Sequence, residues 1–179
     1  MPSNKDRLYV TLHVRGGKPK MPNKEDTWHW ALMMGPKNET PDTNGTTFQA
    51  KEFIDEKGSI CWRYDESICT VARANQLLVR IMIAKVECSS RLLGVLREIP
   101  IRADEEGWNC VGWVKEALSS IVENGKSVGT NVLDWDRVRE SAMEYCRAKV
   151  DGHRFDVSGG FDMSVIPTYD LMQEKEICA

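Results

Sequence analysis

The sequence lacks a long apolar run, a secretory leader and an excess of basic residues. No segment approaches the roughly 18 consecutive apolar residues that span a bilayer, and the opening MPSNKDRLYV has no apolar stretch of the secretory type. Lys and Arg total 24 against 27 Asp and Glu, which gives a formal charge of −3, and no basic stripe is present to neutralise phosphates. We therefore expect a cytoplasmic protein with no membrane span and no nucleic-acid partner.

Patterns typical of metal sites and phosphate loops are also missing. His13, His29 and His153 share no ligand spacing with one another or with acidic and thiol side chains. The two Gly-Gly pairs do not follow a strand and open a helix, as phosphate-binding glycines do. The six cysteines form no CxxC pair and most lie within apolar patterns, which favours reduced thiols over a disulfide framework. We expect no metal and no cofactor.

The composition is typical of one packed domain spanning residues 1–179, with 41% hydrophobic and 28% charged residues. Alternating or β-branched apolar patterns predict strands over 8–14, 27–34, 47–54, 60–64 and 76–86. The Lys57-Gly58 turn favours an antiparallel meander. The predicted fold is α+β, with an antiparallel sheet of about five strands and helices packed on it.

Three helices are predicted, over 89–98, 110–123 and 134–149. Asn109 and Asp134 are the expected N-caps of the second and third helices, and Gly125 follows the end of the second. The tail from about residue 152 is predicted to be mostly irregular, with an ordered segment near Tyr169.

Cys110 is the candidate nucleophile because it opens the second predicted helix. Unpaired amides and the helix dipole at that position favour thiolate over thiol. Its spacing with Val114, Ala117 and Ile121 places it on or beside the apolar stripe that covers the sheet. A small buried cysteine that only fills the core has the same spacing, and this alternative stays open.

His29 and Gln49 are the candidate base and orienting group. Alternation separates His29 from Trp28 and Trp30, and we expect His29 to face the core covered by the cysteine helix. A neutral amide such as that of Gln49 fixes an imidazole tautomer without desolvating another charge. A hydrogen-bonded core histidine and a surface glutamine are the alternatives.

Tryptophans flank both candidate catalytic residues. Core packing is their usual role, but aromatic side chains beside a nucleophile also wall apolar substrate pockets. The candidate substrate-binding residues are therefore Trp30, Trp108, Asn109 and Trp113.

The segments HWALMMG, at 29–35, and WNCVGWV, at 108–114, together resemble the permuted papain-like superfamily that includes lecithin:retinol acyltransferase and the NlpC-type peptidases. In that superfamily the histidine strand precedes the cysteine helix, as it does here. The sequence departs from the acyltransferase pattern because it has neither a second histidine shortly after His29 nor a C-terminal membrane anchor. The whole chain, including PTYDL at 167–171, is also similar to small uncharacterised fungal proteins.

The resemblance implies a papain-like fold and a thioester acyl-enzyme. It assigns Cys110 as nucleophile, His29 as general base and then acid, and Gln49 as orienting group. The Cys110 backbone N–H would donate to the oxyanion.

The predicted function is thus a cysteine-dependent hydrolase or acyltransferase acting on an amide, ester or thioester. Its substrate would be a small molecule or peptide-like. Cyclase or isomerase chemistry in the same pocket without a covalent intermediate is one alternative. A non-catalytic binding domain on the same scaffold is another. If Cys110 and His29 lie on opposite faces of the sheet, or more than about 6 Å apart behind packed Trp side chains, the covalent mechanism loses its base.

Overall fold

Eight strands form one mixed sheet in the computed structural model, which describes residues 4–74 and 76–179. The strands are β1 (Arg7–His13), β2 (His29–Gly35), β3 (Asn44–Ile54), β4 (Ile60–Thr70), β5 (Leu77–Val86), β6 (Val128–Asn131), β7 (Thr168–Asp170) and β8 (Lys175–Cys178). Their order is β4-β3-β2-β1-β5-β7-β8, and β6 also pairs with β5. Short 3₁₀ turns occupy Glu25–Thr27 and Val71–Arg73.

The α+β class is confirmed, but the expectation of about five antiparallel strands is wrong. β6, β7 and β8 enlarge the sheet, and β7 runs parallel to β5. These strands have only three or four residues each, too few for an alternation pattern to be detectable. β4 also continues to Thr70, six residues beyond the predicted end at residue 64.

The three helices are α1 (Ser89–Arg97), α2 (Cys110–Asn124) and α3 (Trp135–Asp151). Asn109 and Asp134 cap α2 and α3 by accepting hydrogen bonds from Val111 N and Arg137 N. Gly125 ends α2 in the left-handed region with a φ of 65°, where the lack of a Cβ removes the steric penalty. The predicted caps and helix stop are confirmed.

Two apolar clusters lie on the two faces of the sheet. The larger one joins α2 to the sheet face that carries Trp30, Leu32 and Phe48, all fully buried. The smaller cluster, which includes Tyr9 and Met33, lies on the other face. Since successive side chains of a strand point to opposite faces, β2 directs Trp30 and Leu32 toward α2 and Met33 away from it.

An ion pair between a buried arginine and a more exposed glutamate ties the middle of the sheet to the C-terminal segment. Arg80 in β5 is 4% exposed and donates to both carboxylate oxygens of Glu39, at 2.6 and 2.9 Å. Its Nε donates to Thr168 Oγ1 in β7 at 3.1 Å, and its guanidinium lies over the Tyr9 ring. This pair holds the 36–43 connection and β7 against β5.

Replacing Glu39 by Gln should destabilise the protein by about 2 kcal/mol, because the buried Arg80 would lose a charged hydrogen-bond acceptor. The measurement is chemical denaturation, read as a lower midpoint at unchanged m-value. Glu174→Gln is the matched control, since Glu174 pairs with Arg137 at the surface and its loss should be within error. Equal midpoints for the two variants would contradict the structural role of the Arg80–Glu39 pair.

Candidate active site at the end of the β2–β3 ladder

The candidate site lies where β2 and β3 stop pairing. Their register runs only from Met34↔Thr46 to Leu32↔Phe48, whereas β3 and β4 stay paired over the whole length of both strands, to Ile54↔Ile60. The β3–β4 hairpin therefore continues past the point where it leaves β2. The break frees backbone groups at the start of β2.

Cys110 occupies this break from the side of α2. Its Sγ accepts a hydrogen bond from Trp30 N at 3.5 Å. A backbone N–H in a strand points along the sheet toward a neighbouring strand, so the sulfur lies near the plane of the sheet and not above it. The thiol thus replaces the carbonyl that would satisfy this N–H if the ladder continued.

The same hydrogen bond brings Cys110 close to the main chain of His29. Trp30 N is bonded to the carbonyl carbon of His29, so Sγ is at most roughly 6.4 Å from His29 Cα. Within residues 4–74 and 76–179, no hydrogen bond joins the sulfur to the imidazole. The structure therefore brings the predicted nucleophile and the predicted base to one place, from different sides.

The expectation that His29 faces the core covered by the cysteine helix is wrong. Its neighbour Trp30 takes that side, and the His29 ring lies on the opposite face with Gln49. Alternation predicts correctly that 29 and 30 diverge, but it does not reveal which of the two faces receives the helix. Cys110 and His29 approach each other only because the sheet is interrupted between β2 and β3.

A chain of hydrogen bonds fixes the orientation of the His29 ring. Gln49 Nε2 donates to Asp65 Oδ2 at 2.9 Å, and Gln49 Oε1 lies 2.7 Å from His29 Nε2. A carboxylate only accepts hydrogen bonds, so the amide NH₂ must face Asp65 and the amide oxygen must face His29. His29 Nε2 is then the donor, and the neutral ring carries its lone pair on Nδ1.

This chain confirms the contact between His29 and Gln49 and adds a residue that the sequence analysis missed. Asp65 lies directly opposite Gln49 in the β3–β4 register. It falls one residue past the predicted end of the fourth strand. A prediction that extended the fourth strand by one residue along β3 would have placed the Asp65 carboxylate beside the Gln49 amide.

A cavity of about 490 Å³ lies on the His29 face of the sheet. Its lining includes charged, polar and aromatic side chains: Arg15, His29, Gln49, Lys51, Trp62 and Asp65. Cys110 does not line this cavity and is 0% exposed. The base is therefore open to a ligand in the resting structure, whereas the thiol is covered.

The prediction that Trp30, Trp108, Asn109 and Trp113 bind substrate is not matched by the cavity, because none of the four lines it. Trp30 and Trp113 are fully buried in the core, and Trp30 Nε1 donates to Glu25 O at 2.8 Å. Asn109 uses its side chain to cap α2. Trp108 is half-buried and contacts Trp62, with ring centroids 5.6 Å apart, so it is the member of this set that touches the cavity wall.

Gly112 explains how Trp108 lies over the first turn of α2. A Cβ at position 112 would be 3.1 Å from Trp108 Cδ1 and 3.2 Å from its Nε1. The missing side chain lets the indole lie against the helix next to Cys110. Trp62, which lines the cavity, contacts this indole, so the two rings connect the cavity to the start of α2.

Burial acts on the thiol and the imidazole in the same sense, toward their neutral forms. It raises the pKa of Cys110, although the Trp30 N–H and the charge of Arg15 act against this shift. Burial also lowers the pKa of His29, together with the charges of Arg15 and Lys51, although the hydrogen bond that His29 donates to Gln49 acts against this shift. The resting pair is therefore thiol and neutral imidazole.

The described part of the chain holds no group of three or more His, Cys, Asp or Glu side chains arranged to bind a metal ion. All six cysteines are free. Among the described helices, none has the length and apolar character needed to cross a membrane.

The fold and site together define an α+β protein with a mixed sheet, a polar cavity on one face and a buried cysteine at the start of the helix on the other. The chain belongs to a family of unknown function, DUF6914, which it matches over residues 5–178. No curated protein and no solved structure matches it.

Asp65→Ala should release the Gln49 amide and mix the two tautomers of His29. In the wild-type protein at neutral pH, ¹⁵N NMR of the imidazole should show Nε2 protonated and Nδ1 unprotonated. Ser67→Ala is the control, because Ser67 also donates to Asp65 Oδ2, at 3.3 Å, but does not touch His29. A wild-type ring protonated on Nδ1 would contradict the assigned chain of hydrogen bonds.

The lowered pKa of His29 should make the fold less stable in mild acid. The ordinary pKa of histidine is about 6.5, so below this pH His29 is protonated in the unfolded chain. In the folded chain its pKa is lower, so it becomes protonated only at a more acidic pH. The free energy of unfolding should therefore fall as pH drops through this window, and His29→Gln should reduce the slope. Denaturant titrations from pH 7.5 to pH 5 measure how the free energy of unfolding depends on pH. An unchanged slope in His29→Gln would contradict the lowered pKa of His29.

Proposed function

We propose that this protein is a cysteine-dependent acyl-transfer enzyme of permuted papain-like type, a hydrolase or acyltransferase acting on an amide, ester or thioester. One observation carries the proposal. The Cys110 sulfur lies against the peptide that follows His29, at the break in the sheet where the His29 ring is oriented with its basic nitrogen unoccupied. A thiol, a base and an amide that orients the base are the groups that nucleophilic cysteine catalysis requires.

The His29 ring and Cys110 start on opposite faces of the sheet, so the reaction requires one of the two side chains to move across the break between β2 and β3. In the first half of the reaction, His29 Nδ1 then takes the Sγ proton and the thiolate attacks the carbonyl carbon. The backbone N–H groups at the start of α2 face the oxyanion that develops. The bond to the leaving group then breaks, and His29 returns the proton to that group. The product is a thioester on Cys110.

In the second half, a water, amine or alcohol enters the cavity and gives its proton to His29. It attacks the thioester carbonyl, the C–S bond breaks, and the proton returns to the sulfur. Gln49 keeps Nδ1 directed at the reacting atoms throughout, since it holds Nε2 through the amide that Asp65 orients.

The neutral resting pair sets a condition on this mechanism. Because burial opposes both the thiolate and the imidazolium, proton transfer is coupled to substrate binding. The substrate must also displace part of the covering wall to reach Cys110, which is fully buried. Movement of Trp62 or Trp108 is a direct route, since Trp62 lines the cavity and contacts the Trp108 ring, which lies against the first turn of α2.

A second candidate function is acid–base catalysis by His29 without a covalent intermediate, as in a cyclase or isomerase. The favouring observation is that the cavity contains His29 but not Cys110. In this alternative Cys110 only satisfies the Trp30 N–H and fills the core.

Incubation with p-nitrophenyl acetate, followed by intact and peptide mass spectrometry, tests the covalent mechanism. We expect one acetyl group on Cys110, and a rate lower by about 100-fold or more in His29→Gln, the usual loss when a general base is removed. Cys146 is the internal control, because it is also 0% exposed and burial raises its pKa to about 12, yet no base is assigned to it.

Two results would reject the covalent mechanism. One is acetylation of Cys110 no faster than that of Cys146. The other is a rate in His29→Gln equal to that of the wild type, which would show that the imidazole does not activate the thiol. Either result would leave His29 as the acid–base group of the second candidate function.

A further inference from the structure

Arg15 is a charged side chain of the cavity that has a buried nitrogen with unused hydrogen-bonding capacity. It follows β1 and borders the cavity together with His29. Its Nη1 is buried and has no hydrogen-bond partner. A buried, unsatisfied guanidinium nitrogen is costly, so native proteins normally give it an acceptor.

The acidic groups around Arg15 do not supply that acceptor. Asp26 accepts from the backbone N–H groups of Lys20 and Met21. Asp65 accepts from Gln49 and Ser67. Within residues 4–74 and 76–179, Arg15 forms no ion pair with either carboxylate, nor with Glu52, which lines the same cavity.

We propose that Arg15 binds a carboxylate of the substrate, and that the enzyme therefore acts on acyl compounds carrying a carboxylate near the reacting carbonyl. The statement that the substrate is an acyl compound rests on the proposed function. The carboxylate site itself does not depend on Cys110. A guanidinium matches a carboxylate with two parallel N–H···O bonds. An anion held there lies in the cavity that His29 borders, so its own carbonyl is delivered toward the break in the sheet.

The charge balance of the cavity favours a monoanion over a phosphate. Among the lining residues that the structure describes, Arg15 and Lys51 supply two positive charges, and Glu52 and Asp65 supply two negative ones. A dianionic phosphate would meet both carboxylates, whereas a carboxylate presents one charge and a planar face. The field of Arg15 already reaches the reacting groups, since its charge contributes to the pKa of both His29 and Cys110.

The experiment uses N-acetylglycine as probe and N-acetylglycinamide, its neutral analogue, as comparison. Binding is followed by NMR of the His29 ring in the Cys110→Ala variant, so that no acyl transfer takes place. We expect saturable binding of N-acetylglycine in the millimolar range and at least tenfold weaker binding of the amide. Arg15→Gln should weaken N-acetylglycine binding by at least about tenfold.

Lys18→Gln is the matched control, because Lys18 is an exposed cation of the same loop outside the cavity lining. This change should leave the affinity as it was. Inorganic phosphate is tested in parallel and should bind more weakly than N-acetylglycine.

Three results would overturn the carboxylate site: no saturable shift up to about 100 mM, equal binding of acid and amide, or unchanged affinity in Arg15→Gln. Stronger binding of phosphate would replace the carboxylate by a phosphoryl group as the ligand. Because the assay variant lacks the Cys110 thiol, a failure here is independent of the acetylation experiment. Carboxylate binding with no acetylation of Cys110 would keep the site and discard the covalent step.

Discussion

The hydrogen bond from Trp30 N to Cys110 Sγ is the interaction on which the site depends. β2 must satisfy its backbone N–H groups after it leaves β3, and a thiol at the start of α2 provides the acceptor. Asn109 sets the position of that thiol, because its side chain accepts the Val111 N–H and so defines the first residue of α2. A backbone requirement and a helix cap thus place Cys110 beside His29.

The break in the ladder also reconciles two features that conflict in an unbroken sheet. His29 and Trp30 are consecutive in a strand, so their side chains leave the sheet on opposite sides. A cysteine from the helix side would then be screened from His29 by the sheet itself. Where β3 leaves β2, the sulfur reaches the plane of the sheet, and no β3 backbone pairs with β2 at that point. The gap between β2 and the β3–β4 hairpin is therefore as much a part of the site as its side chains.

Much of the architecture was predictable from local patterns. Strand alternation located β1 and β2, and the cap and stop residues of α2 gave its ends to within one residue. The short strands β6 to β8 were not predictable, because their stability comes from β5 and from one another and not from their own sequence pattern. Arg80 shows the same limit, since its partners Glu39 and Thr168 are 41 and 88 residues away.

The sequence predicted several residues of the site but not how these residues are arranged around the sheet. His29 and Gln49 were paired correctly, because residues on neighbouring strands have few possible partners. The sheet face on which the His29 side chain lies was not predicted correctly, because period-two alternation is symmetric between the two sides of a sheet. Asp65 and Arg15 lie outside the recognised motifs, one in the unpredicted extension of β4 and the other in a loop, so only the three-dimensional register brings them to His29.

The electrostatics of the site connect its two proposed roles. Arg15 favours the thiolate of Cys110 and at the same time opposes the imidazolium of His29. A carboxylate bound to Arg15 would cancel part of both effects, which makes His29 more basic while the thiol stays protonated. Proton transfer from Cys110 to His29 depends on the difference between their pKa values, and the bound carboxylate would raise both together. Its contribution to the reaction would therefore be to position the acyl group at the break in the sheet, while the driving force for the proton stays nearly unchanged.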